Sequence, residues 1–184
     1  NTIRIVREYQ PNALIFSDAG PDIRWVGNEI GYANETSWST IYRDSVYVGM
    51  PDFNRFASGQ ENGSHWVPTE TDVSIRPGWY YHPEEDNDVK PLSKLVDIYF
   101  NSVGLNSSLL LNLPVDTRGL IHENEVAVLN SLAIFLKKTF STNLINGKNI
   151  KTSSSAIGYN PDHILDNDLD TYWASDKADK NPII

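Results

Sequence analysis

Apolar residues near the start of the chain recur at helical spacing, with Ile3, Val6 and Tyr9 on one side, and Pro11 ends the run. Ala13-Leu14-Ile15-Phe16 is a short unbroken apolar stretch, the pattern of a strand buried on both faces. Ser17 to Glu29 is polar and carries Gly and Pro, which reads as a loop. Residues 30–70 show weak periodicity but hold Trp38, Tyr42, Tyr47, Phe53, Phe56 and Trp66. So many aromatics without a repeat predict a long packed loop region over a site. Asp72 to Ile75 is a second strand, leading into Arg76-Pro77-Gly78-Trp79. Leu92, Leu95, Val96, Tyr99 and Val103 make one apolar face of a helix. Leu109 to Leu111 form a third strand, followed by Asn112-Leu113-Pro114. A last helix starts near Glu123, with Val126, Leu129, Leu132, Phe135 and Leu136 inward and Lys137 and Lys138 complementing its C-terminal dipole.

Helix, strand, long loop, strand, helix, strand, helix is the order of an α/β protein with a parallel sheet. In such sheets, and above all in (β/α)8 barrels, function sits in the loops after the strands' C-terminal ends, where the unusual polar stretches of this chain lie. Three strands cannot close a barrel, and a complete one takes about 250 residues, so the expectation is the last three-eighths of one. After Asn143 the helical pattern stops and a small polar cluster, Thr152 to Ser155, precedes Asp166-Asn167-Asp168-Leu169-Asp170-Thr171-Tyr172-Trp173. That change predicts a boundary near residues 142–150. The chain opens on Asn1 and closes on Asn181-Pro182-Ile183-Ile184, and both ends read as cuts through a longer polypeptide.

Composition narrows the function classes. The 184 residues are 40% hydrophobic and 21% charged, which supports a substantial core. A net charge of -9 is the wrong sign for a nucleic-acid surface. No apolar run approaches the ~18–20 residues of a membrane span. With no Cys, disulfides, thiolate zinc sites and cysteine nucleophiles are all excluded.

The densest chemical candidate is Ser17 to Glu29, which sets Asp18, Asp22, Glu29, Arg24 and Trp25 within thirteen residues after a strand. Carboxyl groups in a cleft serve as acid, base or nucleophile once their surroundings separate their pKa values, and an indole offers a flat face to a sugar ring. The plainer reading makes Asp18 and Asp22 turn caps and Arg24 an ion-pair partner. Arg76-Pro77-Gly78-Trp79-Tyr80-Tyr81-His82 is the second candidate, either a sugar-subsite wall or rim packing. His122-Glu123-Asn124-Glu125-Val126 lacks the second His of a zincin helix, and His65, His82 and His163 have no partner at ligand spacing. Three sequons, at Asn34, Asn62 and Asn106, are short enough to arise by chance.

At these residues the chain resembles a known family. QPNALIFSDAGPDIRWVGNEIGYANETSWST, RPGWYYHPEED and LVDIYFNSVGLNSSLLLNLPVDTRGLIHENEVAVLN, in this order, are similar to glycoside hydrolase family 29, the α-L-fucosidases, over about residues 1–140. The resemblance implies the C-terminal part of a (β/α)8 catalytic barrel over residues 1–142 and retaining hydrolysis of terminal α-L-fucose, with GPDIRWVGNE nearest the branch acting on α-1,3 and α-1,4 linkages. Glu29 matches the family's acid/base residue. Arg24 and Trp25 match neighbours lining the sugar site, and Trp79 matches the aromatic packing on the fucose ring. The family's nucleophile Asp sits at an upstream strand end outside these residues, so the resemblance implies that the 184-residue chain alone is inactive. It also implies fucosylated oligosaccharides or glycoconjugates as partners, no cofactor, and a periplasmic or extracellular location.

Residues 143–184 resemble a linker and the opening of a discoidin-like (coagulation factor 5/8 type C) β-sandwich, with Trp173 as its buried indole. Structural calcium occurs in such modules, and Asp166, Asp168 and Asp170 are its candidate ligands here, against the alternative of a solvated acidic turn. Two other readings remain open: a carbohydrate-binding remnant without turnover, and a product with no function.

Overall fold

The computed structural model describes residues 2–47, 49, 50 and 57–184, in two compact units, Asn1–Phe135 and Leu136–Ile184. Phe53 and Phe56 lie outside the described residues.

The first unit begins with helix α1 (Thr2–Tyr9) and strands β1 (Phe16–Ser17) and β2 (Ile23–Trp25). A small antiparallel ribbon follows, β3 (Thr40–Ile41) with β4 (His65–Trp66). Then come β5 (Thr69–Ser74), helix α2 (Leu92–Ser102), β6 (Ser107–Asn112) and helix α3 (Glu123–Thr139). Among the described residues β1, β2, β5 and β6, in that order, form a four-stranded sheet, parallel throughout. The α/β class and parallel sheet expected from the sequence are present.

Alternation along β5 sets the architecture. Thr69, Thr71 and Val73 are buried on one face, where Val73 and Ile75 form a core with Leu95 and Ile98 of α2. Leu109 and Leu111 of β6 and Val128, Leu129 and Leu132 of α3 close over that core. Period-two alternation turns Glu70, Asp72 and Ser74 to the opposite face, and the register places Ser108, Leu110 and Asn112 of β6 beside them.

Several expectations need correction. The strand predicted at Ala13–Phe16 is shorter and later, and it is not buried on both faces: Leu14 is 74% exposed, because β1 is a sheet edge. Ile23–Trp25, read as loop, is a strand whose central Arg24 is buried. The connection from β1 returns parallel within seven residues, far too short for a helical crossover. Gly20 permits this turn at φ +87°, and the Asp22 carboxylate accepts from Ile15 N at 2.7 Å. On α2 the buried positions are Leu95, Ile98 and Ser102, and Val103 is exposed beyond the helix end. On α3 Val126 is exposed, and Glu125 takes the buried place at the head of the stripe.

The aromatic segment also lies elsewhere than expected. Ile41, Val46, Met50 and Val67 form a second core with Ala19. Ser39 accepts from Val67 N, and Asn106 Nδ2 donates to Ser37 O and Ser39 Oγ just before β6. Trp38 and Trp66 therefore lie at the end of the sheet where β5 and β6 begin.

The second unit is held by side-chain bonds. Trp173 Nε1 donates to Ser154 O and Ser155 Oγ, both at 3.1 Å, and Ser153 and Ser154 donate to Asp179. The rings of Tyr159 and Tyr172 stand 4.8 Å apart. Its described residues include a 3-10 turn, Pro161–Ile164, and no named strand.

Candidate active site

The C-terminal ends of β2 and β5 each release a loop, and these two loops meet. Four residues after β2 stands Glu29, and five after β5 stands Trp79. The indole Nε1 of Trp79 donates to Glu29 Oε2 at 3.0 Å, joining residues fifty apart in sequence. Glu29 is exposed and Trp79 half-buried at the rim of the sheet. Trp79, Tyr80, Tyr81 and Asn112 through Val115 line an adjoining cleft of about 270 Å3.

The loop that carries Trp79 is fixed on two sides. On the sheet side, Asn112 Nδ2 donates to Trp79 O at 3.0 Å and to Ser74 Oγ at 3.1 Å, and Ser74 Oγ donates to Gly78 O at 2.6 Å. On the helix side, Arg76 is wholly buried. Its Nε donates to the equally buried Glu125, its Nη2 to Asp86 at 2.9 Å and its Nη1 to His82 O at 3.2 Å. Tyr81 lies over the guanidinium at 4.7 Å, a cation–π contact within the loop. Burial alone would lower the Arg76 pKa, yet the two carboxylates outweigh it and hold the guanidinium above its usual range.

Arg24 and Trp25 occupy different places from Glu29. The Arg24 side chain is turned to the helix-covered face and is 1% exposed. It donates to Val67 O at 3.1 Å, Ala57 O at 2.5 Å and Trp38 O at 2.6 Å, and burial pulls its pKa down to about 10. It thus fastens the excursion between β2 and β5 to the sheet. Trp25 is on the opposite face, where its Nε1 donates to Asp72 Oδ1 at 2.6 Å. Glu70 stands beside it in register, its pKa raised by burial and then by the Asp72 charge.

Asp22 is a loop-shaping residue: the Arg7 guanidinium pairs with it, and this bond and the Ile15 N–H hold its carboxyl below the usual range. Among the described residues no group of three His, Cys, Asp or Glu side chains is arranged to hold a metal. Asp166 and Asp168 instead accept from the backbone of Asp168 and Asp170, two successive turns, and Thr171 Oγ1 donates to Asp166.

Ser74, Asn112, Asp86 and Glu125 have no place among the sequence candidates. A signal was available for the first two, since each is a polar residue closing an otherwise β-forming run just before a Gly- or Pro-bearing loop. None pointed to Glu125, which sits in a helix start where acidic residues are ordinary.

Comparison with known proteins places the chain in a family. The alpha-L-fucosidase family model matches residues 2–140. Alpha-L-fucosidase 1 of Arabidopsis thaliana is 41% identical over 178 residues, which cover 94% of this chain and 35% of that protein. The crystal structure of SpGH29 superposes with a TM-score of 0.87 at 33% identity, covering 98% of this chain and 39% of that one. A Ruminococcus gnavus GH29 fucosidase solved in complex with fucose gives a TM-score of 0.76 at 31% identity, over 88% of this chain and 34% of its own. The chain thus spans about a third of the length of the curated relative and slightly more of the first of these structures. With a family match over three-quarters of its residues and a rim that brings the GNE glutamate to the RPGW tryptophan, the chain belongs to the alpha-L-fucosidase family.

Proposed function

We propose that this chain supplies the acid/base side of a retaining α-L-fucosidase site, built on the C-terminal part of a (β/α)8 barrel. The observation that carries the reading is the Trp79–Glu29 bond at the C-terminal ends of adjacent parallel strands, where barrel enzymes place their chemistry. Family membership and a relative bound to fucose support α-L-fucose as the sugar, and the GPDIRWVGNE motif favours α-1,3 and α-1,4 linkages on branched glycans.

A retaining glycosidase works with two carboxyl groups about 5–5.5 Å apart. The nucleophilic carboxylate is assigned to the part of the family's barrel that residues 1–184 do not span. Its oxygen bonds to C1 of fucose as the C1–O glycosidic bond breaks, and Glu29 gives its proton to the departing oxygen. In the second step Glu29 takes a proton from water, the water oxygen bonds to C1, and the enzyme carboxylate leaves. Trp79 offers the sugar an apolar face while its N–H holds Glu29. Arg24 and Trp25 support the site from beneath, as anchors of the segment between β2 and β5 and of the sheet face. For residues 143–184 the reading is the opening of a discoidin-like module, supported by the Trp173 indole bound to Ser154 and Ser155.

The test is Glu29→Gln in the complete enzyme. Hydrolysis of fucosides with poor leaving groups should fall by about 10²–10⁴-fold, the usual contribution of a positioned acid, while the first step on activated aryl fucosides is spared. Equal loss on both would show that Glu29 is not the proton donor.

A further inference from the structure

We propose that Ser74 and Asn112, register partners at the ends of β5 and β6, are positioning residues that act through Trp79 to give the two oxygens of Glu29 separate tasks. The inference rests on the reading of Glu29 as the acid/base residue.

The chain of contacts runs from the sheet to the carboxyl without a gap. Ser74 and Asn112 lie side by side on the face away from the helices. The Ser74 hydroxyl spends its one proton on Gly78 O and accepts from Asn112 Nδ2 at 3.1 Å and from Arg76 N at 3.3 Å, so it is fully committed. Both donors of the Asn112 amide are used, one on Ser74 Oγ and one on Trp79 O. Only this orientation of the side-chain amide meets both acceptors, and the Asn112 backbone carbonyl separately accepts from Ile75 N at 3.0 Å. Two consecutive carbonyls, of Gly78 and Trp79, are thereby tied to the strand ends.

Trp79 needs this tie. Its indole reaches Glu29 at an exposed rim, where an unanchored side chain of this size would lose the bond to rotamer freedom and water. The indole has a single donor and no acceptor. Placed on Oε2, it leaves the proton of the neutral acid to Oε1, since an oxygen already accepting from N–H is the poorer site for a second hydrogen. Oε1 is then the oxygen that hands its proton to the glycosidic oxygen, and the charge left on the carboxylate is met at Oε2 by the same N–H. Correct protonation and correct aim are set together by two residues that touch neither substrate nor Glu29.

The experiment compares Asn112→Asp, Ser74→Ala and Trp79→Phe in the complete enzyme across aryl α-L-fucosides of graded leaving-group ability. Asn112→Asp keeps shape but removes both donors, and Trp79→Phe keeps a ring but removes the N–H. For Asn112→Asp and Ser74→Ala, turnover should fall about tenfold or more on poor leaving groups and change little on activated ones, a part of the acid contribution. Trp79→Phe, which also alters the face offered to the sugar, should show the same steeper loss on poor leaving groups. In parallel, the Trp79 indole N–H resonance is followed in the 184-residue chain and should move in both Asn112→Asp and Glu29→Gln. Loss of activity that is uniform across leaving groups, or an indole resonance indifferent to Asn112, overturns the proposal. If Glu29→Gln shows no dependence on leaving group, the acid/base reading itself fails, and the resonance still reports whether the tie exists.

Discussion

The Arg76–Glu125 pair should behave as a lock whose halves cannot be removed singly. Both side chains are 0% exposed, one at the end of β5 and the other in the first turns of α3, so the pair bolts the helix to the loop bearing Trp79. Removing one partner of a buried pair strands the other charge and costs about 3–5 kcal/mol. Glu125→Leu should lie at the lower end, because Arg76 keeps Asp86 at 2.9 Å and the Tyr81 ring. Arg76→Met should lie at the upper end. It abandons Asp86 and leaves Glu125 wholly unmet, with Oε2 already lacking a hydrogen-bond partner. The double variant Arg76→Met with Glu125→Leu replaces the pair by apolar groups of similar volume, a change that is often neutral. Beyond the pair itself it forfeits the bonds to His82 O and Asp86, about 1–2 kcal/mol, and the cation–π contact with Tyr81.

Urea titration followed by far-UV circular dichroism measures the three variants against the parent chain, with m compared to confirm that the same surface unfolds. A loss of 3 kcal/mol corresponds to roughly 6–12 °C in melting temperature for a chain of this size. The decisive number is the coupling, which should exceed about 2 kcal/mol in the direction of rescue. A double variant no more stable than the worse single one would refute the reasoning. The cost would then come from packing and not from an abandoned charge.

Asp116 accepts from the Arg118 side chain and from Arg118 N and Leu120 N, and these bonds, the Arg118 side chain foremost, pull its pKa from 3.8 to about 2. A depressed carboxyl stabilises the folded chain above its unfolded value and loses that contribution as pH falls through the folded value. The stability difference between the parent and Asp116→Asn should thus be level above pH 3.8 and shrink as pH falls towards about 2, read by denaturation at graded pH. Gly59→Ala should cost well over the about 1–2 kcal/mol of a left-handed residue, since a Cβ there would stand 2.1 Å from Trp38 O and 2.7 Å from Arg24 Nη2. Gly119→Ala, at φ +78° with open space around it, is the control and should cost only the backbone term.

The sequence made the alternating helices and strands legible because long periodic stretches such as 92–102 and 123–139 carry their own signal. It carried much less about which face is covered. Ile23-Arg24-Trp25 was hidden as a strand because a buried arginine breaks any apolar pattern, and the three carbonyls that satisfy it come from residues 38, 57 and 67. Glu125 was missed for the same reason: its partner, Arg76, is forty-nine residues away. The apolar run Ala13–Phe16 read as a strand buried on both faces, yet Leu14 is exposed, as is Leu110 within the apolar run Leu109–Leu111. Glu29 and Trp79 were found through motif resemblance. Their bond was not, since no local pattern predicts a contact across fifty residues.

The exposed leucines and the site belong to one argument. Parallel sheets normally have both faces covered. Here helices cover one face, while the other carries Trp25, Glu70, Asp72, Leu110 and Asn112, and among the described residues β1 and β6 each pair on one side only. On the barrel reading proposed above, this face is the one that would line the interior. Strands at an open edge lose order first, yet the groups that hold Trp79 do not depend on the β1 edge. Ser74, Asn112, Trp79, Arg76, Asp86 and Glu125 find their partners within the first unit, on β5, on β6 and on the helices behind them. The groups that hold Trp79 are thus assembled on β5, β6 and their own helices, and they meet Glu29, which the neighbouring strand β2 delivers.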